Sequence, residues 1–114
     1  MRIMTLQGKL RTLYEPFCAL SCDVRHFKRQ FNFPYVVWAE DGESDSFDSD
    51  NRKREQTITG TVDLFTKTEF DPLADDVQRI LDSEGVAWSL TTVQYEDDTE
   101  LIHYTWRWYI SWQN

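Results

Sequence analysis

Near its C-terminal end the chain alternates without a break. Ile102, Tyr104, Trp106, Trp108, Ile110 and Trp112 fall on one side, and His103, Thr105, Arg107, Tyr109 and Ser111 on the other. A period of two is the strand period; a helix would scatter these side chains around its circumference. Six large apolar side chains on one face need a cover, so the chain must build a sheet with that face under other elements. The segment before it reads as a hairpin partner. Val86, Trp88 and Leu90 alternate, then Val93 and Tyr95 alternate in the opposite phase, and the slip predicts a bulge. Glu96, Asp97, Asp98, Thr99 and Glu100 form the tip.

Two segments can supply the cover. Ile3, Leu6, Leu10, Leu13 and Phe17 recur at helical spacing, and Pro16 is expected to end that helix near Tyr14. Leu73, Val77, Ile80 and Leu81 make a second stripe. This helix has Asp71 as N-cap, Pro72 at its first position, and Gly85 as the left-handed residue that stops it. Between the helices lie further strands. Cys18, Leu20, Cys22 and Val24 alternate as a strand would, although a helix over residues 18–27 would set the two cysteines one turn apart; the strand is preferred, with both cysteines as buried small residues. Tyr35, Val36, Val37 and Trp38 read as a buried strand. Residues 55–67 place Ile58, Val62 and Leu64 on one side and Thr57, Thr59, Thr61 and Asp63 on the other. Gly60 falls in phase with the apolar set, which signals a bulge or a close backbone approach. Residues 40–50 contain six acids among eleven residues and read as a mobile loop, followed at once by Arg52, Lys53 and Arg54. The expected fold is one α+β domain over residues 1–114. It has a mixed-order antiparallel sheet of about four to five strands, with both helices packed on one face.

Composition narrows the function. A length of 114 residues suits one domain. No apolar run approaches the length of a spanning helix, and the first ten residues lack the apolar centre of a secretory signal. Two cysteines make no disulfide framework. A net charge of −8 argues against general binding to phosphate backbones. There is no phosphate loop, no nucleophile elbow, no metalloprotease helix and no paired-cysteine motif. The acidic loop does not match the calcium-loop pattern, and Cys18, Cys22, His26 and His103 lack the spacing of a structural zinc site. The acids fall mostly in loops and at helix starts, where carboxyls stay solvated. No catalytic residue, cofactor or metal is therefore expected, and the chain is not read as an enzyme.

The segments PYVVWAEDGESDSFDSDN, TGTVDLFTKTEFDPLADDVQRIL and GVAWSLTTVQYEDDTELIHYTWRWYI resemble those of a family of small tailed-phage and prophage proteins. This is the tail terminator, or tail completion and head–tail joining, group. The resemblance runs from about Val24 to Ile110. It implies a virion structural subunit, assembled in the bacterial host cytoplasm, that closes into a ring with copies of itself, typically a hexamer. The implied partners are the tail tube and the head connector, with DNA only as a passing, unbound polymer. Acidic loops at 40–50 and 96–100 would suit a lumen that repels phosphate. The candidate interface or lumen residues are Glu40, Asp41, Asp45, Asp48, Asp50, Arg52, Lys53, Arg54 and Trp112. The strand edge from Thr57 to Thr61 joins them. An acidic inhibitor that mimics DNA, which the pI near 4.6 would suit, or another phage-encoded protein-binding module is the alternative.

Overall fold

The computed structural model describes residues 5–28, 32–44 and 55–113. Helix α1 (Leu6–Cys18) is followed by strands β1 (Asp23–His26), β2 (Tyr35–Glu43) and β3 (Glu55–Thr66). Helix α2 (Pro72–Ser83) then leads into β4 (Ala87–Glu96) and β5 (Leu101–Gln113). The five strands form one sheet in the order β1-β2-β3-β5-β4. Three neighbouring pairs are antiparallel, but β1 and β2 run parallel, so the sheet is mixed. This is the expected α+β fold, with the two helices over one face.

Three local expectations need correction. Helix α1 runs through Pro16 instead of ending before it. A proline in the last turn removes only the one amide bond back to the preceding turn. Burial of Phe17 against Trp38, ring centroids 5.7 Å apart, favours keeping that turn wound. The extended helix takes Cys18, so the strand expected from Cys18 onward begins only at Asp23. Cys18 is consequently exposed, not buried, and Cys22 is half-buried. Burial pushes the Cys22 thiol up to about 11, with the charges of Asp23 and Asp71 adding to the effect. The third correction concerns residues 40–43, which are strand and not loop. The ladder Glu40–Gly60, Gly42–Thr59 and Glu43–Ile58 satisfies their backbone, and a bulge at Asp41 interrupts it.

The core lies between the helices and the sheet. Leu10, Leu13 and Phe17 of α1 and Leu73, Val77 and Leu81 of α2 meet Trp38, Val62, Leu64, Trp106 and Trp108. Gly60 is where the sheet makes room for an indole. A Cβ there would lie 2.2 Å from the Ala39 carbonyl oxygen and 2.3 Å from Cζ2 of Trp108. Only a residue without a side chain fits that approach. Two further indoles tie α2 to the sheet: Trp106 Nε1 donates to Gln78 Oε1 at 3.0 Å, and Trp88 Nε1 to Asp82 Oδ1 at 2.7 Å.

Helix α2 is capped as its sequence requires. Asp71 Oδ1 accepts from the Leu73 amide at 2.9 Å, and Oδ2 accepts from the buried Thr66 hydroxyl at 2.6 Å. At the other end Gly85 has φ +67°. Its amide donates to the Asp82 carbonyl and that of Val86 to Leu81, each at 3.1 Å, which closes the helix in the paired-bond Schellman pattern. The expected slip in the hairpin is also present. Pairing runs from Leu90–Trp106 to Thr92–Thr105, leaving Thr91 as the extra residue. A second, smaller cluster, Tyr35, Val37 and Phe65, sits on the sheet face opposite the helices.

Candidate functional site

Asp45, Asp48, Asp50, Arg52, Lys53 and Arg54 lie outside the described residues. The remaining sequence candidates are placed as follows. Glu40 and Asp41 sit on β2, and each is already engaged within the chain. Glu40 Oε1 lies 2.5 Å from His26 Nε2, and Arg107 Nη1 donates to Asp41 Oδ2 at 3.0 Å. His26 in turn stacks on Trp38, ring centroids 4.3 Å apart. Glu40 is thus half-buried beside β1 and does not project as part of a loop. Trp112 is 7% exposed and belongs to the same core as Trp106 and Trp108. Its own chain covers it, which leaves little of the indole open to another subunit. The segment Thr57–Thr61 is not an edge either, because β3 pairs with β2 on one side and β5 on the other. The true edges are β1 and β4.

The face of the sheet away from the helices carries a polar ladder. Thr57 Oγ1 and Ser111 Oγ share a hydrogen bond at 2.7 Å. Arg107 Nη1 donates to Thr59 Oγ1 at 3.1 Å as well as to Asp41. Further along, His103 Nε2 is 2.8 Å from Asp63 Oδ1, and the Thr105 hydroxyl donates to that same oxygen at 2.6 Å. Phe65 stacks on His103 with centroids 4.0 Å apart. The sequence signal for this ladder was the threonine side of β3 and the polar side of β5. What it did not carry was the register that sets Asp63 beside Thr105.

The Asp63–His103–Thr105 group resembles a hydrolytic constellation in composition but not in wiring. A nucleophile's proton must be taken by a base that stands between it and the orienting carboxylate. Here the Thr105 hydroxyl donates to Asp63 Oδ1 and also lies 3.2 Å from His103 Nε2, and that nitrogen reaches the same carboxylate oxygen, so the histidine does not stand between the hydroxyl and the carboxylate. One carboxylate on β3 thus bonds two side chains of β5 across the strand pair. His26 and His103 do not converge with the cysteines. His26 packs on the core indole of Trp38, and His103 stands on the opposite sheet face.

Exposed apolar surface gathers on the arm formed by β4 and the tip of its hairpin. Leu90, Val93 and Tyr95 are 44%, 52% and 58% exposed, and Phe70, just before α2, is 88% exposed. By register Leu90, Val93 and Tyr95 lie on the helix side of the sheet, next to Trp106, Tyr104 and Ile102. Phe70, Ala74 and Gln78 line one hollow with Leu90 and Tyr104, and Lys67 and Glu69 line another with Tyr95 and Ile102. A third groove, of 530 Å³, opens between the end of α1 and the outer side of α2, lined by Pro16, Leu20, Arg79 and Ile80 among others. Apolar side chains grouped on an edge strand are the usual mark of a partner surface.

No family model and no curated protein matches this chain. Twenty-five chains of known structure do. One of them aligns over 96% of this chain and 96% of its own length with a TM-score of 0.50 at 14% identity. That degree of likeness speaks to the fold. No helix among the described residues is long and apolar enough to cross a membrane.

Proposed function

We propose that this chain is a structural subunit of a phage tail, of the tail-terminator and head–tail-joining kind, and that it works by adhesion to copies of itself and to neighbouring virion proteins. The observation that carries this reading is the exposed arm: an edge strand with Leu90, Val93 and Tyr95 open to solvent and an acidic tip. Such a surface is stabilised by contact with another protein, and a ring of identical subunits supplies that contact at every position. The resemblance in sequence to the tail-terminator group supports the same role, as does an α+β fold whose polar face is bonded to itself along the sheet.

In this reading the protein acts stoichiometrically. Rings cap the finished tail tube and present a second surface to the head connector, in virions assembled in the host cytoplasm. DNA passes without being held, because the overall charge of −8 disfavours lasting contact with phosphate. The test is electron microscopy of phage made without the gene, joined to mass spectrometry of wild-type virions. Tails of uncontrolled length, or heads and tails that fail to join, are the expected result. Normal particles, or virions free of the polypeptide, would overturn the assignment.

A further inference from the structure

The two lateral edges of the sheet differ in charge as well as in length. Residues 82–100, which contain β4 and the tip, carry Asp82, Glu84, Glu96, Asp97, Asp98 and Glu100 and no lysine or arginine. Residues 5–28, which contain α1 and β1, carry Lys9, Arg11, Arg25 and Lys28 against Glu15 and Asp23. Both edges also show apolar side chains. Beside the acidic tip are Val93 and Tyr95; on the β1 flank Phe27 is exposed next to His26, and Tyr14 and Arg11 line a hollow with His26 and Trp38.

We infer that the β4 arm of one copy docks on the β1 flank of the next copy. This deepens the ring reading above and rests on it. The occupant follows from the charges. A two-fold contact between arms would set four tip carboxylates against four others, and like charges across an interface are costly. A contact between β1 flanks would oppose the basic groups in the same way. Arm to flank is the arrangement that joins opposite charges, with Val93 and Tyr95 covering Phe27 and Tyr14. It is head-to-tail, so it leaves one arm and one flank free on every pair, and growth continues until the ring closes. The indentation of the edges suits this: β1 has four residues and β4 has ten, so the arm overhangs a short strand instead of matching a long one.

The experiment is zero-length carbodiimide cross-linking of the full chain, mixing isotopically heavy and light copies, with the joined peptides mapped. Mixed-isotope links from Lys28 or Lys9 to residues 96–100 are expected. Charge reversal supplies the second arm. Asp97→Lys with Asp98→Lys, and separately Arg11→Glu with Lys28→Glu, should each weaken assembly in sedimentation by at least about ten-fold, and the chain carrying all four changes should recover it. All four positions are exposed, so folding is preserved. Assembly unchanged by either reversal, links confined to other surfaces, or a chain that stays monomeric at every concentration would overturn the docking mode. None of these outcomes touches the virion test, which decides the tail assignment separately.

Discussion

Strands β5 and β4 hydrogen-bond to each other along their length and turn similar side chains toward the helices, yet one is the centre of the core and the other is mostly outside it. Trp106, Trp108 and Ile110 are buried, while on β4 Leu90, paired with Trp106, and Val93 and Tyr95, paired with the half-buried Tyr104 and Ile102, are open to solvent. The difference is one of cover. Helix α2 is fastened over β5 through Gln78 and reaches β4 only near Trp88, through Asp82. Beyond Asp71 no helix among the described residues lies on the hairpin. Alternation reports which side of a sheet a residue takes; what lies on that side is decided by the length and tether of another element.

The covered side of that contrast can be broken first. Trp108→Ala removes a fully buried indole and is expected to cost about 3–5 kcal/mol in urea unfolding. Gly60→Ala attacks the same indole from below. Its Cβ would meet both the Ala39 carbonyl and Trp108, so overpacking of about 1–3 kcal/mol or more is expected, although the change adds one methyl group. Asp71→Ala removes the cap of α2 and one partner of the Thr66 hydroxyl, for about 2 kcal/mol by the same measurement. A further test uses pH. The Cys22 thiol is held protonated by burial, so the folded state binds its proton more tightly than the unfolded chain does. Its contribution is present below the ordinary thiol value and is lost as pH rises toward about 11. Unfolding midpoints should fall over that interval and flatten in Cys22→Ser, and iodoacetamide should label the exposed Cys18 before Cys22.

Much of the fold was legible because its signals were redundant. Helix α2 announced itself by Asp71, Pro72, an apolar stripe and Gly85 together, and the bulge at Thr91 by a change of phase. Gly60, in phase with the apolar side of its strand, was readable as a bulge or a close approach, and the indole of Trp108 makes it a close approach. Where a single signal stood alone it misled. Pro16 alone gave the wrong end for α1, and one short alternation, Cys18, Leu20, Cys22 and Val24, suggested strand where the chain ends a helix and turns. The acidic run at 40–43 suggested a loop because the compensating groups, His26 and Arg107, are far away in sequence. The same holds for the surface. Trp112 stands among the candidate contact residues, yet its own chain covers it. The open side chains belong instead to the next strand, where edge position, invisible in local sequence, leaves them uncovered.

The smallest effect is the most discriminating. Val93→Ser and Tyr95→Ser alter side chains that are more than half exposed, so stability of the isolated chain should change by no more than about 0.5 kcal/mol. If β4 is merely an underfilled part of the core, the two variants should also assemble as the parent does. If the arm is built for a neighbour, the same substitutions remove apolar surface that becomes buried only between copies, and self-association measured by sedimentation should weaken while the unfolding curve stays where it was. The core variant Trp108→Ala should show the reverse order, with unfolding shifted first and assembly lost only as the folded population falls. A loss of stability in Val93→Ser equal to that of a buried valine would mean that the arm is packed in solution, and the contrast between β4 and β5 would collapse.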